Sequence, residues 1–450
     1  MADWDTLRKD IAQLQTVVLR IEHRLDDVEQ VLGIRHRLQE VGNHNPVVSP
    51  TKGDDLDLEF RLGELWVGHL GVGAILVGIA FLISYPLGIH GVFQIAIGYV
   101  AVGCGLWMSK KWVTAYPSIS RTLFVGSLML LYFTTLRLHF FADEPLVPQK
   151  SIGLFLLILP VVYVFYVAAH KRSEVLNCLA IVLALTTALC TDTTHFAFIT
   201  IMGACATSVF FRLRYGWVNC VLFALCATYV TLLIWLFNNP FLGHSMQLVS
   251  ELHGSLFYLF VYGALFGISN LPRRDGTDAD IANIALTLLN GAGFYVLGLL
   301  MAYSHYKSHF AFINLIFSLF FWVLSTAYWL YRESRFSTAF YACFGYIALS
   351  LAIITHFDSP MNFVWLGWQS LLVISTAIWY RSKIVVVSNV FIYLGILIFY
   401  LLFAHPNLMV NLSYALVALL SARIMNWQKE RLTLQTELMR NIYLASAFVV

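Results

Sequence analysis

Hydrophobic positions fall into two unlike patterns along this chain. Over the first forty residues they are sparse and periodic. Trp4, Leu7, Ile11, Leu14, Val18, Ile21, Leu25, Val28 and Leu32 recur at alternating spacings of three and four, with Arg20, Glu22, Asp26, Asp27 and Glu29 on the other faces. That is a heptad seam held for about four heptads, which predicts a coiled-coil arm over 1–40. An amphipathic helix lying on the protein's own membrane domain would carry the same stripe. Residues 41–60 then turn polar and Pro-containing, the composition of a flexible linker.

From Phe60 onward the pattern changes. Between Leu65 and Tyr85 there is no Asp, Glu, Lys or Arg, enough residues to cross about 30 Å of hydrocarbon as a helix. Similar segments follow closely, near 91–108, 121–140, 152–170, 174–190, 195–211, 215–237, 252–270, 281–301, 309–331, 336–356, 361–380, 384–404 and 409–426. The expected fold is all-α, a polytopic transmembrane bundle of about fourteen spans over 61–431, preceded by a cytoplasmic coiled coil. The tail 432–450 ends in an apolar stretch too short for a full span, and reads as an interfacial helix or a truncated fifteenth one.

Composition supports the membrane reading. The 450 residues are 59% hydrophobic and 12% charged, whereas a soluble domain carries about 25% charged residues. The N-terminus is a charged helix without the apolar core of a cleavable signal peptide. The seven cysteines all lie in apolar segments without a CxxC pair, so they read as small core residues. Charge distribution sets the expected orientation. All of the 28 Lys and Arg except Arg137, Lys150 and Lys307 fall in the N-terminal segment, in alternate connections or in the tail. Cytoplasmic loops hold the excess of Lys and Arg, which places the N-terminus, arm and tail in the cytoplasm. Two segments also end alike, Ser325-Thr326-Ala327-Tyr328-Trp329 and Ser375-Thr376-Ala377-Ile378-Trp379. Either hairpin duplication or interface anchoring accounts for this.

The first hairpin carries Leu58-Glu59-Phe60-Arg61-Leu62-Gly63, then Leu65-Trp66, Gly71, Gly73, Gly78, the turn Tyr85-Pro86-Leu87-Gly88 and a Gly-rich second segment to Gly105. Together with the preceding arm, this resembles the DUF2339 family of bacterial polytopic membrane proteins, most clearly over 1–110. The resemblance implies a bacterial inner-membrane location; it supplies no activity and no catalytic residues. Ala74 with Gly78, and Ala101 with Gly105, are small-xxx-small pairs that favour close helix packing.

Candidate chemistry is sparse. His69, with Glu64 nearby, is an ionisable group just inside the first segment, where burial is costly enough to make it a proton or substrate candidate. Alternatively, a neutral imidazole there bonds a neighbouring carbonyl. Nine of the fourteen histidines fall at the expected outer ends: His90, His139, His195, His244, His253, His305, His309, His356 and His405. Asp192 with His195, Glu251 with His253, and His305 with His309 pair groups that bind a divalent metal or relay protons. No HExxH-type spacing accompanies them, and interfacial histidine without a metal is the competing reading. Within the apolar segments Pro160, Asn290-Gly291-Ala292-Gly293, Asn314, Gln369 and Asn389 interrupt the pattern. Discontinuous helices near the midplane line transporter sites, and Asn290, Gly291 and Gly293 form the best candidate for such a substrate-binding break. Interhelical packing accounts for them equally well.

No nucleotide-binding loop or large soluble domain is present, which argues against direct ATP-driven transport by this chain. No cofactor is expected apart from the divalent metal considered above, and nothing points to nucleic acid. The partners are the lipid bilayer and, through the arm, further copies of the chain. The leading reading is a transporter or flippase for a neutral or amphipathic envelope-related solute. A non-enzymatic oligomeric scaffold or complex subunit is the second, and a membrane-embedded enzyme with an outer His/carboxylate site the third. The orientation has a direct check: reporter tags fused after Ser109 and after Pro240 are expected in opposite compartments, and the same compartment for both contradicts the alternation.

Overall fold

The computed structural model describes residues 68–85, 91–140, 145–191, 193–271, 281–332, 334–380, 383–427 and 436–449. The expected coiled-coil arm and linker lie outside the described residues. The chain divides at Ala74 into two units, and of the first only residues 68–74 are described. The architecture below is that of the second, residues 75–450.

The structure is 86% helix with no strands among the described residues. In chain order the helices are α1 Gly68–Ser84, α2 Gly91–Lys111, α3 Pro117–Leu136, α4 Lys150–Lys171, α5 Glu174–Cys190, α6 Thr194–Tyr215, α7 Val218–Leu236 and α8 Ser255–Ile268. They continue with α9 Ile281–His305, α10 Phe310–Arg332, α11 Arg335–His356, α12 Met361–Trp379, α13 Lys383–Phe403, α14 Leu408–Trp427 and α15 Thr436–Val449. Eleven of these are long and apolar enough to cross a membrane, since about 20 helical residues cover 30 Å. Three further expected segments form shorter apolar helices: α1, α5 and α8. This is a multi-pass membrane protein.

Local chemistry sets the helix ends. Ser173 caps α5 by accepting from the Leu176 N–H, and Glu174 adds a negative charge to the first turn, where the helix dipole favours it. Helix α6 stops at Gly216, which takes φ 81° and turns its N–H back to the Arg212 carbonyl. Pro117 occupies the start of α3, where its missing N–H has no helical partner to lose. Pro160, in contrast, sits inside α4 without ending it, as transmembrane helices tolerate.

Neighbours in sequence pack as hairpins, among them α2 with α3, α4 with α5, α10 with α11 and α14 with α15. Longer-range pairs close the bundle: α7 with α5 and α9, α6 with α8, α9 with α11, and α12 with α14. Two large cores result. One joins α5 through α11 around Phe198, Tyr262, Phe294, Phe317 and Phe321. The other joins α11 through α15 around Tyr393, Tyr400, Tyr414 and Tyr443. Helix α11 belongs to both. On the opposite faces apolar side chains stay exposed at helical spacing, such as Phe155, Leu159, Val162 and Tyr166 on α4. Those stripes meet lipid.

Small residues set how closely the helices approach. A side chain added at Gly105 would run into Ser127 of α3, and one at Gly298 of α9 into the Phe317 ring of α10. The Ala101–Gly105 pair therefore does serve close packing, whereas Gly78 faces open space among the described residues. Arg212 is buried, contrary to the flanking role its position implies. Its Nη1 donates to the Gly216 carbonyl at 3.0 Å, and its Nη2 donates to Asn270 Oδ1 at 3.1 Å and Asn283 Oδ1 at 2.8 Å. One guanidinium thus joins the α6–α7 turn to α8 and α9. Substituting Gly298→Val forces the Phe317 ring aside and is expected to destabilise the bundle by about 1–3 kcal/mol, read as a lower thermal midpoint of the detergent-purified chain.

Candidate functional site

Three regions hold the residues with chemical potential. The first is the middle of α9. The expected helix break is absent: α9 runs continuously from Ile281 to His305 through Asn290, Gly291 and Gly293. Asn290 is buried, and its oxygen and amide nitrogen both have protein partners. Oδ1 accepts from the Tyr229 hydroxyl at 2.7 Å, while Nδ2 donates to the Gly263 carbonyl at 3.1 Å and the Tyr341 hydroxyl at 3.1 Å. The two glycines make room for rings. A Cβ at Gly291 would lie 2.5 Å from the Phe344 ring, and one at Gly293 would lie 2.5 Å from Tyr229. Asn290 is thus a closed polar joint of α7, α8, α9 and α11.

The second region is a pocket of about 190 Å³ at the α5–α6 and α7–α8 connections, lined by Thr193, Trp235, Asn239, Glu251 and His253 among others. Two of the sequence-predicted metal candidates therefore share one pocket. His253 Nδ1 lies 2.9 Å from the Glu251 carbonyl oxygen, and its Nε2 lies 3.4 Å from Glu251 Oε2. His195 stands beside them, its ring centroid 6.5 Å from that of His253. Asp192 lies outside the described residues. His305 is occupied elsewhere: Nε2 donates to the Val249 carbonyl at 2.7 Å, and Nδ1 sits 2.6 Å from Ser304 Oγ. His309 is exposed, with Nδ1 2.9 Å from Ser308 Oγ. No group of three or more His, Cys, Asp or Glu able to hold a metal is assembled among the described residues. His69 is half-buried in the first turn of α1.

The third region is a cavity of about 280 Å³ between α11, α12 and α13. Tyr346, Ser350, Gln369, Ser370, Ser388 and Asn389 supply its polar lining, Leu366, Val373 and Val385 part of its apolar lining, and no Asp, Glu, Lys, Arg or His takes part. Ile347 and Ile392 line it too and are 52% and 56% exposed, so the cavity opens to the lipid side. Gln369 Nε2 donates to the Tyr346 carbonyl at 2.8 Å and to Ser350 Oγ at 2.9 Å. Asn389 Nδ2 donates to Ser370 Oγ at 2.9 Å, the Ser370 carbonyl at 3.2 Å and the Tyr443 hydroxyl at 3.2 Å. Donation to a carbonyl fixes which end of the amide is nitrogen and leaves Oδ1 as an acceptor beside the cavity. Gln369 and Asn389 interrupt the apolar pattern visibly in sequence. The serines and tyrosines do not, because single hydroxyls are ordinary in apolar helices.

No family model, no curated protein and no solved structure matches this chain. The sites therefore rest on their own geometry.

The two histidines of the α9–α10 connection differ in a measurable way. Loss of His305 leaves the Val249 carbonyl without its imidazole donor, so His305→Ala is expected to destabilise by about 1–2 kcal/mol. The exposed His309→Ala should stay within about 0.5 kcal/mol of the parent. Thermal unfolding in detergent reads both.

Proposed function

We propose that this chain is a transporter- or flippase-like membrane protein that takes a neutral, amphipathic molecule into the crevice between α11, α12 and α13. The observation that carries the reading is the character of that crevice. It opens toward lipid, lies among the middle turns of its helices, and combines apolar walls with a few convergent hydroxyl and amide groups, the usual makeup of a small-molecule site. A phosphate or ammonium group would find no charge to offset its desolvation there, whereas a hydroxyl or amide finds the Asn389 acceptor and the hydroxyls of Ser388 and Ser350. Cys343, Ser350 and Ser388 line the crevice without an Asp, Glu, Lys, Arg or His beside them in its lining to activate a thiol or hydroxyl, so the groups present suit binding and orientation.

In this reading the chain threads the bilayer about fourteen times, with α1, α5 and α8 as short spans. The N-terminal arm lies in the cytoplasm of a bacterium and gathers copies of the chain at the inner membrane. The basic residues at alternate connections support that orientation.

Photolabelling tests the site. A diazirine-bearing long-chain alcohol, added to the purified chain in lipid nanodiscs, is expected to mark peptides around 343–350 and 385–396. Filling the crevice with Ser388→Trp is expected to reduce that labelling about tenfold, or about 1.4 kcal/mol of binding. A diazirine-bearing phosphatidylglycerol should mark these peptides weakly. Labelling spread evenly over the lipid-facing helices, or indifferent to Ser388→Trp in a monodisperse protein, contradicts the proposal.

A further inference from the structure

We infer that the pocket at the α5–α6 and α7–α8 connections is a binding site for a divalent transition-metal ion of the zinc class, held by His253 Nε2 and Glu251 Oε2 and completed by His195. The inference is independent of the lipid-facing crevice.

The surroundings of His253 define its tautomer. Its Nδ1 lies 2.9 Å from the Glu251 carbonyl oxygen, which can only accept, so Nδ1 carries the hydrogen. In the neutral ring Nε2 then presents a lone pair. That lone pair lies 3.4 Å from Glu251 Oε2, another electron-rich atom. Two such atoms repel unless a cation lies between them. An imidazole whose far nitrogen is tied to a backbone carbonyl is also the usual arrangement of a metal-ligating histidine, because that bond orients the ring.

The separation selects the cation. Bonds of about 2.0–2.1 Å to nitrogen and oxygen at a tetrahedral angle place the two ligand atoms about 3.3 Å apart. An alkylammonium hydrogen-bonded to both at about 2.8 Å would hold them roughly 4.6 Å apart. Calcium and magnesium prefer all-oxygen surroundings, so the imidazole favours a transition metal. A proton also fits the gap, giving an imidazolium–carboxylate pair, and the experiment below separates it from a metal.

Both ligands are open to solvent, the His253 side chain 46% and that of Glu251 75% exposed. The described residues outside glycine with positive φ are Arg172, Asn238, Asn239 and His253, and the last three line this pocket. His253 itself is held at φ 44°. Backbone held in sparsely populated regions gathers at ligand sites, where the surrounding structure keeps it in place. His195, at the start of α6, has its ring centroid 6.5 Å from that of His253; the three groups are not assembled around a metal in this structure, so metal binding requires the His195 side chain to turn toward the ion. Closure by His195 is the change that the metal drives, and the pocket leaves room for water as the fourth ligand.

Zinc chloride alone, titrated by calorimetry into the full chain in detergent micelles, tests this. The expected result is one zinc per chain, weakened at least tenfold by His253→Ala, by Glu251→Gln and by His195→Ala, and unchanged by the control His405→Ala. X-ray absorption at the zinc edge of the unmutated chain should show nitrogen and oxygen ligands with imidazole scattering. No zinc binding would overturn the inference and leave the proton as the bridging cation. Binding that persists in all three variants, or sulfur ligation from the cysteines, would also overturn it.

Discussion

Hydrocarbon offers neither a hydrogen-bond donor nor an acceptor, so polar groups inside this bundle turn to protein: small hydroxyls such as Thr134 and Thr187 bond their own helix, and larger side chains reach another. Buried tyrosines and asparagines meet that demand repeatedly. Tyr229 and Tyr341 converge on Asn290, Tyr295 donates to Asn314 Oδ1, Tyr400 donates to Asn411 Oδ1, and Asn389 donates to Tyr443. Other tyrosines reach backbone carbonyls, as Tyr262 does at Phe198 and Tyr328 at Gly267. Tyrosine suits the task because its ring packs like phenylalanine while its hydroxyl reaches across a helix interface. Each such bond contributes modestly, about 0.6 kcal/mol on average and up to about 1.7 in membrane helices. Their direction matters more than their strength, since each fixes one register of two helices.

The same constraint separates structural polar residues from those available to a ligand. Asn290 has protein partners at both its oxygen and its nitrogen and lies among rings admitted by Gly291, Gly293 and Gly263. Asn389 uses its nitrogen in the same way, toward Ser370 and Tyr443, yet keeps its oxygen at a cavity shared with Gln369 and Ser388. The first arrangement holds four helices together. The second leaves an acceptor where an amphipathic molecule can replace the missing partner. The Tyr443 hydroxyl accepts from the Asn389 nitrogen and so ties this amide to α15.

Much of the fold was legible because a lipid-facing helix writes itself as an uninterrupted apolar run. The helices begin and end within a few residues of those runs, Arg335–His356 against 336–356 and Lys383–Phe403 against 384–404 being typical. Sequence leaves two readings open where one residue pattern serves two physical ends. Asn290-Gly291-Ala292-Gly293 reads equally as a helix break, because glycine and asparagine both loosen helices, and as a close interhelical contact. In the fold those glycines instead clear space for Phe344 and Tyr229. His305 and His309 read as a pair of ligands, but the imidazole of His305 staples its helix to the α7–α8 connection. Partner choice of that kind depends on which helices meet, which local periodicity does not encode. Gln369 and Asn389 stand out in sequence as amides in apolar helices. That they border one cavity follows only from the packing of α11, α12 and α13.

Hydrogen bonds between helices, the Asn290 joint of α7, α8, α9 and α11 among them, hold this bundle in register. A double-mutant cycle of Tyr229→Phe and Asn290→Ala, read by reversible unfolding of the purified chain in mixed micelles, tests it most directly. The predicted result is a coupling of about 0.6–1.7 kcal/mol between the two sites, with the double variant less destabilised than the sum of the single ones. Simple additivity of the two losses would contradict the claim.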